Sequence, residues 1–457
     1  MLCKSSLRHS TACVIHQAIF ILISVSLFAG APHTNGQGAS GPGATPESPA
    51  NPAHFSFPEG LLKPVDGIKL EVAYSGEVLS NVSGGFRRGT IYEGLLKTGL
   101  RIDLDKLGIW SDANIYAAAL NPHGPSLTDH YVHDLNILSS IDAYDTIRLQ
   151  EIWLEKKIFN KQLSIRVGEL VADTEFMVSD SSQLFANSCF GAMPLATINL
   201  NGPVYPLASP GIRLEWNQSD AWTARLAIFS GDVGQENINN KHGTRFAFSH
   251  EGGTLIIAEA ANKYTLNGKS DGLPGTLKFG GFYHTGLFED VNGSGAAGHG
   301  SGAVYGIIDQ AVYRPSAGKE RRDSGKDSVS KDSKDPKDEA SDVGLNFFVR
   351  GGVAYPLGRT FVSSYLDGGL TYKGAIPRRP KDIFGIACSY THLSPDITGD
   401  DPFAIPSHHE TVVEVSYQAV INDWLSVQPD FQYIFNPGGA DHLPDAVVLG
   451  VRVNLTF

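Results

Sequence analysis

The chain ends on VVLGVRVNLTF, residues 447–457, and this stretch alternates between apolar and polar side chains. The residues that share the apolar face are Leu449, Val451, Val453, Leu455 and Phe457. Side chains alternate between the two faces of a strand with a period of two, so the stretch predicts a strand with one apolar and one polar face. A transmembrane β-barrel and the closing strand of a soluble β-sandwich both give this pattern. The rest of the sequence has to show which of these two architectures the chain adopts.

The length suits two or three ordinary domains and one large barrel equally well, and the composition favours the barrel. The 457 residues include 50 glycines and only 3 methionines, and 10% of them are aromatic. A mean hydropathy of -0.10 is too polar for a helical membrane protein. Beyond the N-terminus, no apolar run approaches the roughly 18 to 20 residues that a spanning helix needs. The net charge of -12 and a sequence without a basic stripe argue against nucleic acid as a partner.

The N-terminal 64 residues predict export followed by a leader. Lys4 and Arg8 precede an apolar segment, and the small residues 29–31 after it have the form of a signal-peptidase site, so residues 1–31 predict a signal peptide. Residues 32–64 begin with a long stretch of Pro, Gly, Ala, Ser and Asn, which predicts a disordered leader without a core of its own. We expect residues 65–457 to form the barrel domain. Its two cysteines, Cys189 and Cys388, do not make a disulfide framework.

From residue 68 onward, the sequence divides into windows of about ten residues with turn residues between them, the spacing of tilted membrane strands. About seventeen windows can be counted, and because closed bacterial barrels have an even number of strands, 16 is the nearest solution. We therefore expect an all-β fold, a closed antiparallel transmembrane β-barrel of 16 strands, with one window spurious. Residues 316–342 interleave basic with acidic side chains and predict a solvated external loop. Residues 171–210 carry aromatic anchors, and we expect them to fold into the lumen and narrow it.

Several segments in a fixed order carry a resemblance to a known family. They are FRRGTIYEG (86–94), EIWLEKKIFNKQLSIRVGEL (151–170), YPLASPG (205–211), ARLAIFSGD (224–232), KFGGFYHTG (278–286) and the terminal strand. In order and spacing they resemble the OprB-type carbohydrate-selective porins. The resemblance implies an outer-membrane barrel of 16 strands that passes small carbohydrates by diffusion. It also implies a constriction lined by arginines, carboxylates and aromatic side chains. The charged segment after Arg314 and the Pro-rich leader depart from the family pattern.

Strand parity gives a separate indication of which side chains line the lumen. With Leu100 and Ile102 facing outward, Glu93 and Arg87 face inward in the same register. Arg88 would then face lipid, where an arginine costs roughly 2 to 4 kcal/mol at the midplane. A bulge near Gly89 would re-aim Arg88, or else this residue lies at the interface or in a loop.

Further along the chain, a change of phase at Gln150–Glu151 predicts a bulge, after which the charged and aromatic residues of this strand point into the channel. Arg166 joins them from the next strand, and Arg213, Glu215 and Arg225 share inward parity on later strands. Guanidinium groups and carboxylates can replace the water that sugar hydroxyls lose, and sugar C–H faces pack against Trp. The candidate sugar-binding residues are Arg87, Arg88, Glu93, Glu151, Trp153, Glu155 and Arg166.

Proteins with other functions can show a similar sequence pattern. A general or anion-selective porin has the same strands, and an exported soluble carbohydrate-active protein is the alternative from another class. Glu151 and Glu155 are spaced i, i+4, roughly 13 Å apart on a strand, whereas glycoside hydrolases need about 5 to 9.5 Å between their carboxylates. We therefore expect a passive channel, not an enzyme, without cofactor or metal. Its expected partners are small carbohydrates and outer-membrane lipids, and its oligomeric state is left open between monomer and trimer.

Overall fold

A computed structural model describes residues 65–200, 202–233, 240–246, 252–266, 272–315, 343–397 and 408–457. Within these residues, 16 strands form a closed barrel in which each strand pairs antiparallel with its sequence neighbours and β1 pairs with β16. The strands are β1 Ile68–Ser83, β2 Gly89–Asp103, β3 Ala113–His123, β4 Arg148–Ile158, β5 Leu163–Leu170, β6 Ser209–Asn217, β7 Trp222–Ser230, β8 Thr254–Leu266, β9 Leu273–Glu289, β10 Ala297–Tyr313, β11 Gly344–Tyr355, β12 Val362–Lys373, β13 Ile383–Leu393, β14 His409–Asn422, β15 Leu425–Phe435 and β16 Ala446–Thr456. The predicted closed antiparallel barrel is confirmed.

In the part of the chain that the structure describes, helical structure is confined to short pieces in the connections. They are a π-helical turn at Thr128–Val132, the four-residue helix α1 at Pro194–Thr197, and 3-10 turns at Ser181–Leu184, Ser188–Phe190, Leu357–Arg359 and Pro437–Gly439. Over the described ranges, no helix has the length and apolar character to cross a bilayer.

The terminal strand has the two faces that its alternation predicts. In β16, Leu449 and Val451 are exposed on the outer surface, while Gly450 and Arg452 are buried on the inner one. Arg452 pairs there with Glu77 of β1, with 2.6 Å between Nε and Oε2, directly across the seam that closes the barrel. The last strand therefore joins the first through both backbone pairing and a buried ion pair.

The spurious window is residues 244–249. Residues 244–246 lie in the β7–β8 connection and form no strand, and residues 247–249 lie outside the described part of the chain. The other windows each correspond to a strand.

The connections alternate between two rims of the barrel. One rim carries short turns such as 159–162, 218–221 and 423–424, and the other carries the long β3–β4 loop (124–147) and β5–β6 loop (171–208). Bacterial barrels place their short turns on the periplasmic side and their long loops outside the cell. The charged segment 316–342 lies outside the described residues, but β10 ends and β11 begins at the short-turn rim. The expectation of an external loop for residues 316–342 stays a prediction.

The β5–β6 loop folds into the barrel, as its aromatic residues predicted. Phe176, Phe185 and Phe190 are all buried, and the rings of Phe185 and Phe190 lie 5.9 and 6.5 Å from that of Phe348 on β11. Burial of such side chains is the main driving force for packing a segment against a wall. The loop therefore fills the side of the lumen that faces β11.

Polar side chains of the wall hold the same loop by its backbone. Arg350 of β11 is fully buried and donates to the carbonyls of Met177 at 3.2 Å, Cys189 at 2.8 Å and Gly191 at 2.6 Å. Its charge is balanced by Asp367 of β12, 2.5 Å away. Because a guanidinium has five donors in a fixed fork, one side chain can fix several loop carbonyls at once.

The β3–β4 loop is held in a similar way from β14. Glu410 accepts hydrogen bonds from the backbone N–H groups of Leu135 at 2.7 Å and Asn136 at 2.8 Å. Glu414 does the same for the β5–β6 loop, accepting from Ala186 at 2.6 Å and Asn187 at 2.9 Å. These lumen-facing carboxylates are buried under the loops. Partly exposed lumen-facing side chains remain on β2 and β7, for example Arg101 and Arg225.

Candidate functional site

The bulge that the sequence predicted lies in β4. Ala118 of β3 pairs with Glu151, and Ala119 pairs with Leu149, so Gln150 is the extra residue. A bulge changes the phase of the side chains that follow it. Below it, Glu151, Trp153 and Glu155 face the lumen, as predicted.

Trp153 supports a charged neighbour and does not offer a free face to the lumen. The guanidinium of Arg166, from β5, lies over the indole at 3.9 Å from the ring centroid, and the Tyr116 ring packs 5.2 Å from it. Trp153 is only 4% exposed. The platform expected from the sequence is therefore covered, and a solute in the passage meets the guanidinium instead.

Arg166 belongs to a row of ion pairs that continues onto β6. It lies 3.3 Å from Glu155, and Arg213 lies 3.0 Å from the same carboxylate. Glu175 reaches in from the β5–β6 loop and contacts both arginines, at 3.1 Å from Arg166 and 2.7 Å from Arg213. A loop carboxylate thus closes the row from the lumen side.

The row extends to β7 and β8. Arg225 pairs with Glu215 at 2.7 Å and lies 3.7 Å from Glu259. It also donates to the backbone carbonyl of Glu175 at 3.1 Å, so the β5–β6 loop is tied to three arginines in succession.

The opposite end of the row is on β2. Arg101 lies 3.8 Å from Glu71 of β1, and its guanidinium sits 4.8 Å from the centroid of the Tyr116 ring. We call the whole row the arginine ladder: Arg101, Arg166, Arg213 and Arg225 with Glu71, Glu155, Glu175, Glu215 and Glu259.

The ladder borders the open passage without being fully solvated. The side chains of Arg101, Arg225 and Arg166 are 34, 24 and 16% exposed, whereas Arg213 is nearly buried. Each exposed guanidinium already has a carboxylate partner, so the surface presents hydrogen-bonding groups with closely balanced charge. Such a lining suits a neutral, hydroxyl-rich solute better than an ion.

Three of the predicted site residues lie away from the ladder. Glu93 faces the lumen as expected, but it pairs with Glu77 and is buried where Ser139 of the β3–β4 loop donates to Glu77. Arg87 and Arg88 lie in the β1–β2 connection at the long-loop rim, and both are exposed. The inward register expected for Arg87 is wrong, because β2 begins only at Gly89. For Arg88, the sequence left open a bulge, the membrane interface or a loop, and the structure places it in a loop.

The remaining lumen residues differ in how far the sequence indicated them. Glu151 faces the lumen and accepts from the backbone of Val171 at 3.4 Å, so it holds the start of the β5–β6 loop. Arg213, Glu215 and Arg225 followed from strand parity. Glu175 did not, because it lies on a loop without periodicity.

Comparisons with known proteins agree with this architecture. The family described as carbohydrate-selective porin, OprB family, matches residues 87–457. Porin B of Pseudomonas aeruginosa is 23% identical over 429 residues, which cover 86% of this chain and 88% of that protein. Two structures of Pseudomonas putida OprB share the fold. The high-pH structure has a TM-score of 0.73 at 22% identity over 86% of this chain and 94% of that one, and the low-pH structure has 0.52 at 19% over 86% and 93%.

Proposed function

This chain belongs to the OprB family of carbohydrate-selective porins, and on that premise we propose that monosaccharides and related small neutral carbohydrates diffuse through it past the arginine ladder. The protein is an integral outer-membrane β-barrel, a channel rather than an enzyme. Solutes move through such a channel down their own concentration gradient.

The observation that carries the proposal is the pairing of every ladder guanidinium with a carboxylate. A sugar hydroxyl both donates and accepts, so it can bond to an arginine and its partner glutamate together. Because Arg166 and Arg213 already share Glu155 and Glu175, a sugar adds only weak bonds to a satisfied network. Conduction requires contacts weak enough to let the solute leave.

We also propose that outer-membrane lipids surround the barrel, and the outer wall supports this. Its outward side chains include exposed apolar residues on successive strands, for example Val304, Val353 and Leu366. A barrel that spans a bilayer needs an apolar band of this kind on its outside.

Swelling of proteoliposomes tests the function. The purified protein is reconstituted into liposomes, which are then diluted into isosmotic solutions of monosaccharides and of amino acids of similar size. We expect faster swelling in the monosaccharides. Swelling rates ordered by solute size alone would indicate a general porin instead. Faster movement of anions would indicate an anion-selective porin.

A further inference from the structure

The β1–β2 connection, residues 84–88, folds inward onto the loops at the outer mouth. Gly85 donates its N–H to the carbonyl of Pro444 at 2.8 Å, and Arg87 donates its own to that of Tyr131 at 2.8 Å. From the wall below, the amide of Asn81 donates to the carbonyls of Gly84 and Arg87, at 2.9 Å each. The connection is therefore held in place over the mouth and not against the lipid face.

The backbone of this turn depends on two consecutive glycines. Gly84 and Gly85 have φ values of 71° and 62°, in the left-handed region that favours glycine. A Cβ at Gly84 would also overlap the carbonyl of Asp445. The tight turn brings the next residue, Phe86, against the β3–β4 loop.

Phe86 presents a flat aromatic surface at the mouth. Its ring stacks on that of His133 from the β3–β4 loop, with centroids 4.3 Å apart and an interplanar angle of 8°. Phe86 is 56% exposed, and His133 is exposed as well. The aromatic anchors of the β5–β6 loop are buried inside the barrel, whereas this stacked pair at the outer mouth is open to solvent.

Two arginines, Arg87 and Arg88, follow Phe86 directly in the chain. Arg87 donates through Nε to the carbonyl of His130 at 2.8 Å, and its guanidinium lies 4.8 Å from the centroid of the Tyr131 ring. These contacts fix the plane of the guanidinium, which still has donors beyond Nε. Arg88 is exposed and makes no hydrogen bond or ion pair with any residue in the described ranges.

We propose that Phe86 and His133, together with Arg87 and Arg88, form a docking site for a sugar ring at the outer mouth, separate from the arginine ladder. The C–H face of a pyranose packs on a flat ring, and its hydroxyls accept from guanidinium groups at the ring edge. We do not expect a lipid chain to cover His133, because this histidine lies on a loop at the outer mouth. The site rests on the proposed function, because the passage below it carries sugars.

Protection of His133 from chemical modification tests the site directly. The full chain in detergent is treated with diethylpyrocarbonate, with and without D-glucose, and the modification of each histidine is followed by peptide mass spectrometry. Glucose is expected to slow the modification of His133 several-fold. The exposed His242, whose Nδ1 contacts the carbonyl of Ile147, serves as the internal control and should be unaffected.

Variants separate docking from permeation. Phe86→Ala and Arg88→Ala should weaken the protection of His133. Phe159→Ala, which removes a phenylalanine that is 71% exposed at the short-turn rim, should not. Arg166→Ala changes the ladder and should leave the protection intact. Migration on gels before and after boiling confirms that each variant has assembled.

The outcomes distinguish this site from the function on which it rests. Swelling that favours sugars, without protection of His133, would overturn the docking site alone. Protection without swelling would sustain the docking site and overturn the conduction pathway. Protection by phospholipid nanodiscs in the absence of glucose would assign the surface to lipid and overturn the proposal.

Discussion

Arg166 lies on the indole of Trp153, and this stacking determines where its guanidinium can point. A cation over an aromatic face is stabilised by roughly 0.5 to 2 kcal/mol. The same contact restricts the rotamers of the long Arg166 side chain. Two carboxylates, Glu155 and Glu175, hold the two terminal nitrogens. The arginine is thus oriented by three neighbours before any sugar arrives, which lowers the entropic cost of binding.

Replacing Trp153 should therefore weaken sugar binding through Arg166. In Trp153→Ala, we expect glucose to block the ion current about two- to thirtyfold less tightly, the range that corresponds to the lost stacking energy. Trp153→Phe keeps a flat ring under the guanidinium and should retain most of the block. The measurement is the concentration dependence of glucose block in planar bilayers, on protein whose assembly is verified by heat-modifiable migration. Unchanged block in Trp153→Ala would contradict the positioning role.

Glu175 is the carboxylate that the β5–β6 loop contributes to the ladder, and its removal should change ion selectivity. Glu175→Gln leaves Arg166 and Arg213 with one carboxylate fewer, so the passage gains net positive charge in a confined space where charges act strongly. We expect the reversal potential in a KCl gradient to shift toward anion selectivity. Asp423→Asn, which removes an exposed acid on the short-turn rim that pairs with Lys381, is the matched control. An equal shift of the reversal potential in both variants would show that the ladder does not determine ion selectivity.

At the scale of elements, the sequence predicted strands better than loops. Period-two alternation indicates a strand and its inner face locally, and the loss of phase at Gln150 was enough to locate the bulge in β4. Arg87 was misplaced because alternation was continued past Gly89, where the strand begins. The loops meet the barrel wall through contacts between residues far apart in sequence, such as Asn187 of the β5–β6 loop with Glu414 of β14. No periodicity encodes such contacts.

The hold of β11 on the β5–β6 loop can be removed by one pair of substitutions. Breaking only one partner of a buried ion pair leaves an uncompensated charge and costs about 3 to 5 kcal/mol, so Arg350→Met is combined with Asp367→Asn. We expect larger current fluctuations and weaker discrimination among sugars of different size, because three loop carbonyls lose their donor. Single-channel recordings measure both. Lys106→Met, at an exposed ion pair with Asp66 on the short-turn rim, should leave the recordings unchanged. Unchanged current fluctuations in the double variant would argue against the anchor.

For the molecule as a whole, the two loops that fill the mouth each contain a buried carboxyl group. Burial raises the pKa of Asp142 in the β3–β4 loop and of Asp173 in the β5–β6 loop to about 7, from an ordinary value of 3.8. Between these two pH values, the folded state binds more protons than the unfolded state, so stability falls as pH rises, by up to about 1.4 kcal/mol per pH unit for each group. The contribution is fully present below pH 3.8 and is lost by pH 7.

Loop packing should therefore loosen as pH rises from about 4 to 8. We expect hydrogen exchange of the amides in residues 124–147 and 171–208, corrected for the intrinsic rate, to accelerate over this range. Asp142→Asn with Asp173→Asn removes these two titrating groups and should weaken the dependence on pH, with Asp134 of the β3–β4 loop, whose pKa burial also raises, still in place. A corrected exchange rate that does not vary with pH in the unaltered protein would contradict these two assignments.

The central claim, that sugars pass beside the arginine ladder, is tested most directly by placing a removable obstacle there. Arg225→Cys puts a thiol at a partly exposed position of the ladder. The unaltered protein, whose Cys189 is buried and whose Cys388 lies on the outer face, is the control for the reagent. Proteoliposome swelling in glucose is measured before labelling with a bulky methanethiosulfonate, after it, and after reduction. We predict that labelling arrests swelling, that reduction restores it, and that glucose slows the labelling; complete labelling with unchanged swelling would show that sugars take another path.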